Sequence, residues 1–242
     1  MIRLSPVSTS SLFALIGITI YALLAFNVLF AQPVPAFGTD IYDAYFYRLL
    51  EGRFDIPLRI LRFEGHYAAD GTGILYHGIA PLLTRALLYP FVTLHTFPTA
   101  AFSVWLWSSI GAAFCHAITF QVLKRYAGTV SVGLSLAIAI AIWIASPGLL
   151  LSSTLVLYHE PLSVSFAATA GALYLFLQVA LLDVPIRKVL LPAAILAALV
   201  LHARPHVALG IYAGICVLIL LMLKYDPKRS LLRAAATLLI LG

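Results

Sequence analysis

Residues 98–123 read PTAAFSVWLWSSIGAAFCHAITFQVL, and Lys124 and Arg125 follow at once. No Asp, Glu, Lys or Arg interrupts these 26 residues. A helix rises 1.5 Å per residue, and about 20 apolar residues cross the roughly 30 Å hydrocarbon layer of a bilayer. The stretch is long enough to span, and its basic end has the character of a cytoplasmic anchor. Further apolar runs occupy residues 11–31, 129–146, 162–182, 189–201, 207–223 and 231–242. Over the 242 residues, 62% are hydrophobic and 10% charged, and the mean hydropathy is +1.03. A soluble domain has about a quarter of its residues charged. The expected fold class is therefore all-α: a polytopic transmembrane helical bundle, one domain over residues 1–242.

The net charge of +6 does not point to nucleic acid, because the basic residues sit in short clusters between apolar runs. With Arg3 on the cytoplasmic side, strict alternation of spans puts Lys124 and Arg125, Arg187 and Lys188, and Lys224, Lys228 and Arg229 on that side too. The opposite side receives residues 32–97, 147–161 and 202–206, and the two short connections contain one basic residue, Arg204. The reading is a multi-pass protein of the plasma (inner) membrane, N-terminus cytoplasmic and loop 32–97 extracytoplasmic. The first run exceeds the 7–15 residues of a signal-peptide core and is read as a retained helix. Cys115 and Cys216 both lie inside apolar runs and read as buried small hydrophobes.

Three runs are irregular. Residues 189–201 reach only about 20 Å as a helix, which leaves His202, Arg204 and His206 at or below the outer interface, where Pro205 blocks a continuous helix. The connection 147–161 is apolar until Tyr158-His159-Glu160, and it is expected to dip into the membrane against protein. The run 231–242 is too short to span, so the chain reads as a fragment with an incomplete final helix.

The long loop carries six of the nine acidic residues: Asp40, Asp43, Glu51, Asp55, Glu64 and Asp70. After Gly38-Thr39-Asp40, residues 41–51 read as a short helix closed by Gly52. Tyr42, Tyr45, Phe46 and Leu49 form an apolar stripe suited to lying along the membrane surface. Residues 79–95 form a second amphipathic stretch. Between them, the turn-rich segment Asp70–Gly78, with Tyr76 and His77, is suited to approach a ligand. Asp40 and Asp43 stand three apart and face one side of the first helix. They read either as an N-cap with its first-turn partner or as a general base for an acceptor hydroxyl.

The layout of one span, then GTDIYDAYFYRLLEGRFD (residues 38–55), then surface helices and short-looped spans, resembles the GT-C glycosyltransferases. The closest likeness is to the bacterial lipopolysaccharide-sugar, arabinosyl and mannosyl transferases, and it extends over about residues 10–125. Such a likeness implies an inverting transfer of a sugar from a polyprenyl-phosphate donor to an extracytoplasmic acceptor (lipid, glycan or protein). It implies Asp40 as the base with Asp43 second, and a divalent cation, Mg or Mn, in many members. Family members usually have more spans and often a soluble C-terminal domain.

Independently of that likeness, an arginine held at depth is normally paired or faces a polar cavity. Arg204, flanked by His202 and His206, is a candidate to hold the donor phosphate, against an interfacial arginine snorkelling to the headgroups. His159 and Glu160, with Tyr76 and His77, are candidates for substrate or cation binding, and Glu160 for pairing with Arg204. His116 and Asn27 read as helix–helix hydrogen bonders. The alternative functions are a transporter or flippase-like protein, or a non-catalytic membrane assembly subunit.

Overall fold

The computed structural model describes residues 6–28, 40–128 and 130–225; the predicted run 231–242 lies outside the described residues. In chain order the elements are α1 (Pro6–Ala25), α2 (Ile41–Leu50), β1 (Ile56–Pro57), α3 (Leu58–Leu61), β2 (Gly65–Tyr67), β3 (Thr72–Leu75), α4 (Leu82–Leu88) and α5 (Thr99–Ala127). They continue with α6 (Val132–Ala145), α7 (Pro147–Ser153), α8 (His159–Leu182), α9 (Ile186–Leu201) and α10 (Pro205–Tyr225).

Helices α5, α8 and α10 are each long and apolar enough to cross a membrane. The pair α6 and α7, bent by 46° at their junction, makes a fourth if read as one broken span. By length and composition the chain is a multi-pass membrane protein. Local chemistry sets the breaks. Pro147 stands at the first position of α7, where its missing N–H is harmless, and the preceding residue Ser146 is extended (ψ 154°). Pro205 likewise opens α10 and ends the turn after α9. The connection 147–161, expected to be non-helical, thus contains a short helix and then an extended segment before α8.

Helix α8 is the centre of the bundle and packs against both α5 and α9, with α10 beyond α9. The contact surfaces are rich in small residues: Ala168, Ala172, Ala193, Ala197 and Ala208 are all buried. Apolar helices in lipid gain little by burying oil-like surface and associate through such close approach. Helix α1 packs on α5, α6 and α7. The Tyr21 hydroxyl donates to the Trp143 carbonyl at 2.7 Å and shares a hydrogen bond with Ser146 Oγ at 2.8 Å, which ties α1 to the α6–α7 break. Trp143 Nε1 in turn donates to His116 Nδ1 at 3.4 Å, so His116 is the interhelical hydrogen bonder its position predicted.

The long loop is folded over residues 40–97, and here the all-α expectation needs correction. Strands β1, β3 and β2 form a three-stranded antiparallel sheet in that order, with Ile56 opposite Gly73 and His66 opposite Ile74. Asp70 accepts from the Thr72 amide (3.0 Å) and hydroxyl (2.6 Å), and Gly71 takes φ +82°, which turns β2 into β3. A second correction concerns α2. Its stripe faces inward: Tyr42, Tyr45 and Phe46 are buried with Ile41, Ile56, Leu61, Leu75, Leu82, Leu94 and Leu157. The helix belongs to the core of a small cap and does not lie with its apolar face on lipid. The second amphipathic stretch is helical only from Leu82 to Leu88.

The cap docks at one end of the bundle. Thr84 of α4 hydrogen-bonds Ser103 and Trp107 in the first turns of α5 (3.1 and 2.9 Å). Leu157, just before α8, enters the cap core. The Ala80 amide donates to the His202 carbonyl, at the corner between α9 and α10 (3.0 Å). Lys124, Arg125, Arg187, Lys188 and Lys224 belong to the opposite helix ends.

Candidate functional site

Helix α4 delivers Arg85 into the seam between cap and bundle, where the side chain is fully buried. Its Nε donates to Asp43 Oδ1 at 2.9 Å, and Nη2 donates to Glu160 Oε1 at 3.1 Å. Nη1 donates to Glu160 Oε2 and, at 3.5 Å, to the Pro81 carbonyl. The Tyr42 ring lies 5.5 Å from the guanidinium carbon. Three elements thus contribute one group each: Asp43 from α2, Arg85 from α4 and Glu160 from the first turn of α8. A buried arginine is tolerated only with such paired, geometrically matched acceptors.

Two carboxylates share this one guanidinium, and they do not share it equally. Glu160 takes the bidentate end. Asp43 keeps a single contact, and burial pushes its carboxyl above the ordinary carboxylate range despite the pull of Arg85. For Arg85, burial opposes the charge, but Glu160 and then Asp43 outweigh it and hold the guanidinium firmly protonated.

Asp43 also lines a cleft of about 200 Å³ at the cap end of the bundle, together with Asp40, His95, Pro98, Thr99 and Leu155. Asp40 occupies the cap position of α2 with helical backbone angles and no side-chain capping bond. Its carboxylate is exposed at the cleft. Asp40 thus stands at the N-cap position that the sequence predicted, with its carbonyl accepting from the Ala44 amide (3.0 Å) and its side chain making no capping bond. His95 stacks on Tyr47 (4.6 Å between centroids, 16° between planes) and forms part of the rim.

A second polar cluster joins the cap to the approach to α8. Glu64, 6% exposed, accepts from the hydroxyls of Tyr76 (2.7 Å) and Tyr158 (2.7 and 2.8 Å) and from His77 Nε2 (3.2 Å). Burial works against its charge, but these donors win and hold the carboxyl below its ordinary value. His77 is pushed down, mainly by burial, with the Arg204 charge acting in the same direction. Beside them, Gly78 lies against the α9–α10 corner: a β-carbon there would stand 2.0 Å from the His202 carbonyl oxygen. Only glycine permits that approach. The Gly78 carbonyl accepts from the Tyr42 hydroxyl at 3.2 Å.

The predicted site residues fall as follows. Asp40 and Asp43 share one cleft. Tyr76 and His77 share Glu64, with the Arg204 charge felt at His77 and Tyr158. Arg204 is half-buried, has no ion pair among the described residues, and its buried Nε has no hydrogen-bond partner. The expected pairing of Glu160 with Arg204 is corrected, since Glu160 belongs to Arg85. His159 directs its Nδ1 at the Leu151 and Thr154 carbonyls (3.1 and 2.6 Å), at the end of α7. His202 and His206 are exposed at the corner.

Sequence reasoning missed Arg85, Glu64 and Tyr158 as site members. Arg85 left one trace, a single charge between Leu82-Leu83-Thr84 and Ala86-Leu87-Leu88. A divalent cation needs several oxygen ligands. Among the described residues no three His, Cys, Asp or Glu side chains gather to supply them, and both Glu160 oxygens are occupied. Among the described residues, those present do not assemble a metal site. No protein-family model, curated protein or solved structure matches the chain.

Proposed function

We propose that this chain is an integral-membrane glycosyltransferase that moves a sugar from a polyprenyl-phosphate donor onto an extracytoplasmic acceptor hydroxyl, with the cap on the outer side. The observation that carries the reading is Asp43: a carboxylate anchored through one oxygen by a buried arginine, raised in pKa by burial, and lining an outer cleft beside a second carboxylate, Asp40. A general base works best when its pKa approaches the operating pH and its position is fixed. Burial raises the Asp43 carboxyl and Arg85 fixes its position, whereas Asp40 is exposed, so Asp43 takes the role of base and Asp40 that of second carboxylate.

In the proposed step the acceptor hydroxyl gives its proton to Asp43, and its oxygen attacks the anomeric carbon from the face opposite the phosphate. The bond from that carbon to the phosphate oxygen breaks, and polyprenyl phosphate leaves with the electron pair. Arg204, a cation without an ion pair among the described residues, would neutralise the leaving phosphate. Tyr42 lies within electrostatic reach of both Glu160 and Arg204, which supports placing the two halves of the reaction at this end of the bundle.

The test is transfer of radiolabelled sugar from a polyprenyl-phosphate donor in proteoliposomes. Asp43→Asn is expected to lower the rate by about 10²-fold or more, with membrane insertion unchanged. Wild-type rates in that variant refute the mechanism. Movement of a lipid-linked sugar across the bilayer with no covalent product would favour the transporter reading, and neither activity the assembly subunit.

A further inference from the structure

Asp43 is the only member of the Asp43–Arg85–Glu160 group that faces the cleft; the other two are sealed beneath it, at 0% and 1% exposure. A guanidinium has five N–H donors in a rigid fork. Glu160 spans the two terminal nitrogens, and the Pro81 carbonyl shares Nη1. The side edge of the fork, Nε–H with the second Nη2–H, remains toward Asp43; only the Nε–H is used, on Oδ1, and no hydrogen bond engages Oδ2 among the described residues. If Arg85 instead turned its paired nitrogens to Asp43, both carboxylate oxygens would be consumed. The site is thus arranged so that a membrane helix, through Glu160, decides which edge of Arg85 the cap carboxylate receives.

We infer that Arg85 and Glu160 are positioning residues for Asp43: Glu160 clamps the forked end of Arg85, so that Arg85 fixes Asp43 through one oxygen and leaves the other open to a hydroxyl-bearing ligand in the cleft. The inference deepens the proposed role of Asp43 as base, and it makes a structural claim that holds without any transfer activity. The charged and titratable groups that face Asp43 are Arg85 from α4, Glu160 from α8, His95 from the segment before α5, and Asp40 on its own helix. Glu160 and Arg85 act on it in opposite directions. Removing the Glu160 charge therefore leaves Arg85 free to hold Asp43 more tightly as an anion.

Two measurements on the whole chain in nanodiscs test this. A water-soluble carbodiimide with an amine label modifies protonated carboxyls, and peptide mass spectrometry separates Asp43 from Asp40. In Glu160→Gln the midpoint of Asp43 labelling is expected about one pH unit lower than in wild type, the scale on which one nearby charge moves a carboxyl. The acid limb of sugar transfer should move with it. An unchanged midpoint in folded protein overturns the inference. A shifted midpoint in a protein that transfers no sugar keeps the positioning and removes the glycosyltransferase reading.

The second measurement uses Arg85→Met with Glu160→Met, which replaces the buried pair by apolar side chains and preserves packing. Here kcat is expected to fall at least tenfold with KM for the donor unchanged. Wild-type kcat in that double variant shows that Asp43 needs no anchor and overturns the inference.

Discussion

Replacing Gly78 by alanine tests how the cap is held on the bundle. The new methyl would stand 2.0 Å from the His202 carbonyl oxygen, 2.6 Å from its carbon and 2.7 Å from the Ala203 carbonyl oxygen. All three are backbone atoms and cannot swing aside as a flexible side chain does. Overpacking of this kind costs about 1–3 kcal/mol. Separating the two backbones also stretches the bond from the Ala80 amide to the His202 carbonyl, now 3.0 Å, worth about 1 kcal/mol net. The combined weakening is about 2–4 kcal/mol, which increases local opening about 30- to 900-fold. Hydrogen–deuterium exchange in nanodiscs reads this at the Ala80 amide. The Tyr42–Gly78 segment should lose protection, while α8 and the α1–α6 contact keep theirs. Unchanged exchange at Ala80 would refute the reasoning, because it would mean that the glycine is not required for the close approach.

Three further outcomes follow from the same structure. Tyr21→Phe removes hydrogen bonds to Trp143 and Ser146 and should destabilise the protein by about 1–2 kcal/mol, measured as a lower unfolding midpoint in detergent. Glu64 has its pKa depressed from the ordinary 4.5, so its contribution is complete above that value and is lost as pH falls through the lower folded value. The unfolding midpoint should decline over that acid window, and Glu64→Gln should flatten the decline. Single cysteines at Phe63 and Tyr126, both strongly exposed, should react with an impermeant thiol reagent from opposite sides of the membrane. Labelling from one side would overturn the proposed orientation.

The sequence carried the membrane assignment well, since apolar runs such as residues 98–123 are a property of composition and length. The short helix at residues 41–50 was also legible, and Gly52 closes it at φ +73° as its position predicted. The sheet was not. Its strands are two to four residues long and include Gly65 and Gly73, which leaves no alternation to read. The direction of the α2 stripe was misjudged for a related reason: periodicity says that one face is apolar, but not whether lipid or a small core covers it. At the site, the nearness of Asp40 and Asp43 follows from helical spacing. The link to Glu160 does not, because Arg85 lies 42 and 75 positions from its two partners. Glu64 illustrates the same limit. Its donors lie 12, 13 and 94 residues away, and nothing local distinguishes it from an exposed loop acid.

The 75-residue separation of Arg85 from Glu160 sets an order of events during synthesis. A ribosome adding about 5–20 residues per second takes roughly 4–15 s to make the stretch between them. Throughout that interval Arg85 has emerged without its main counter-ion. The cap therefore cannot reach its final form when its own residues are complete. It waits for α8 to arrive, and the corner at His202 closes it later still. A ribosome stalled before Glu160 would expose this as a cap sensitive to protease, and one stalled well beyond His202 as a cap that resists it.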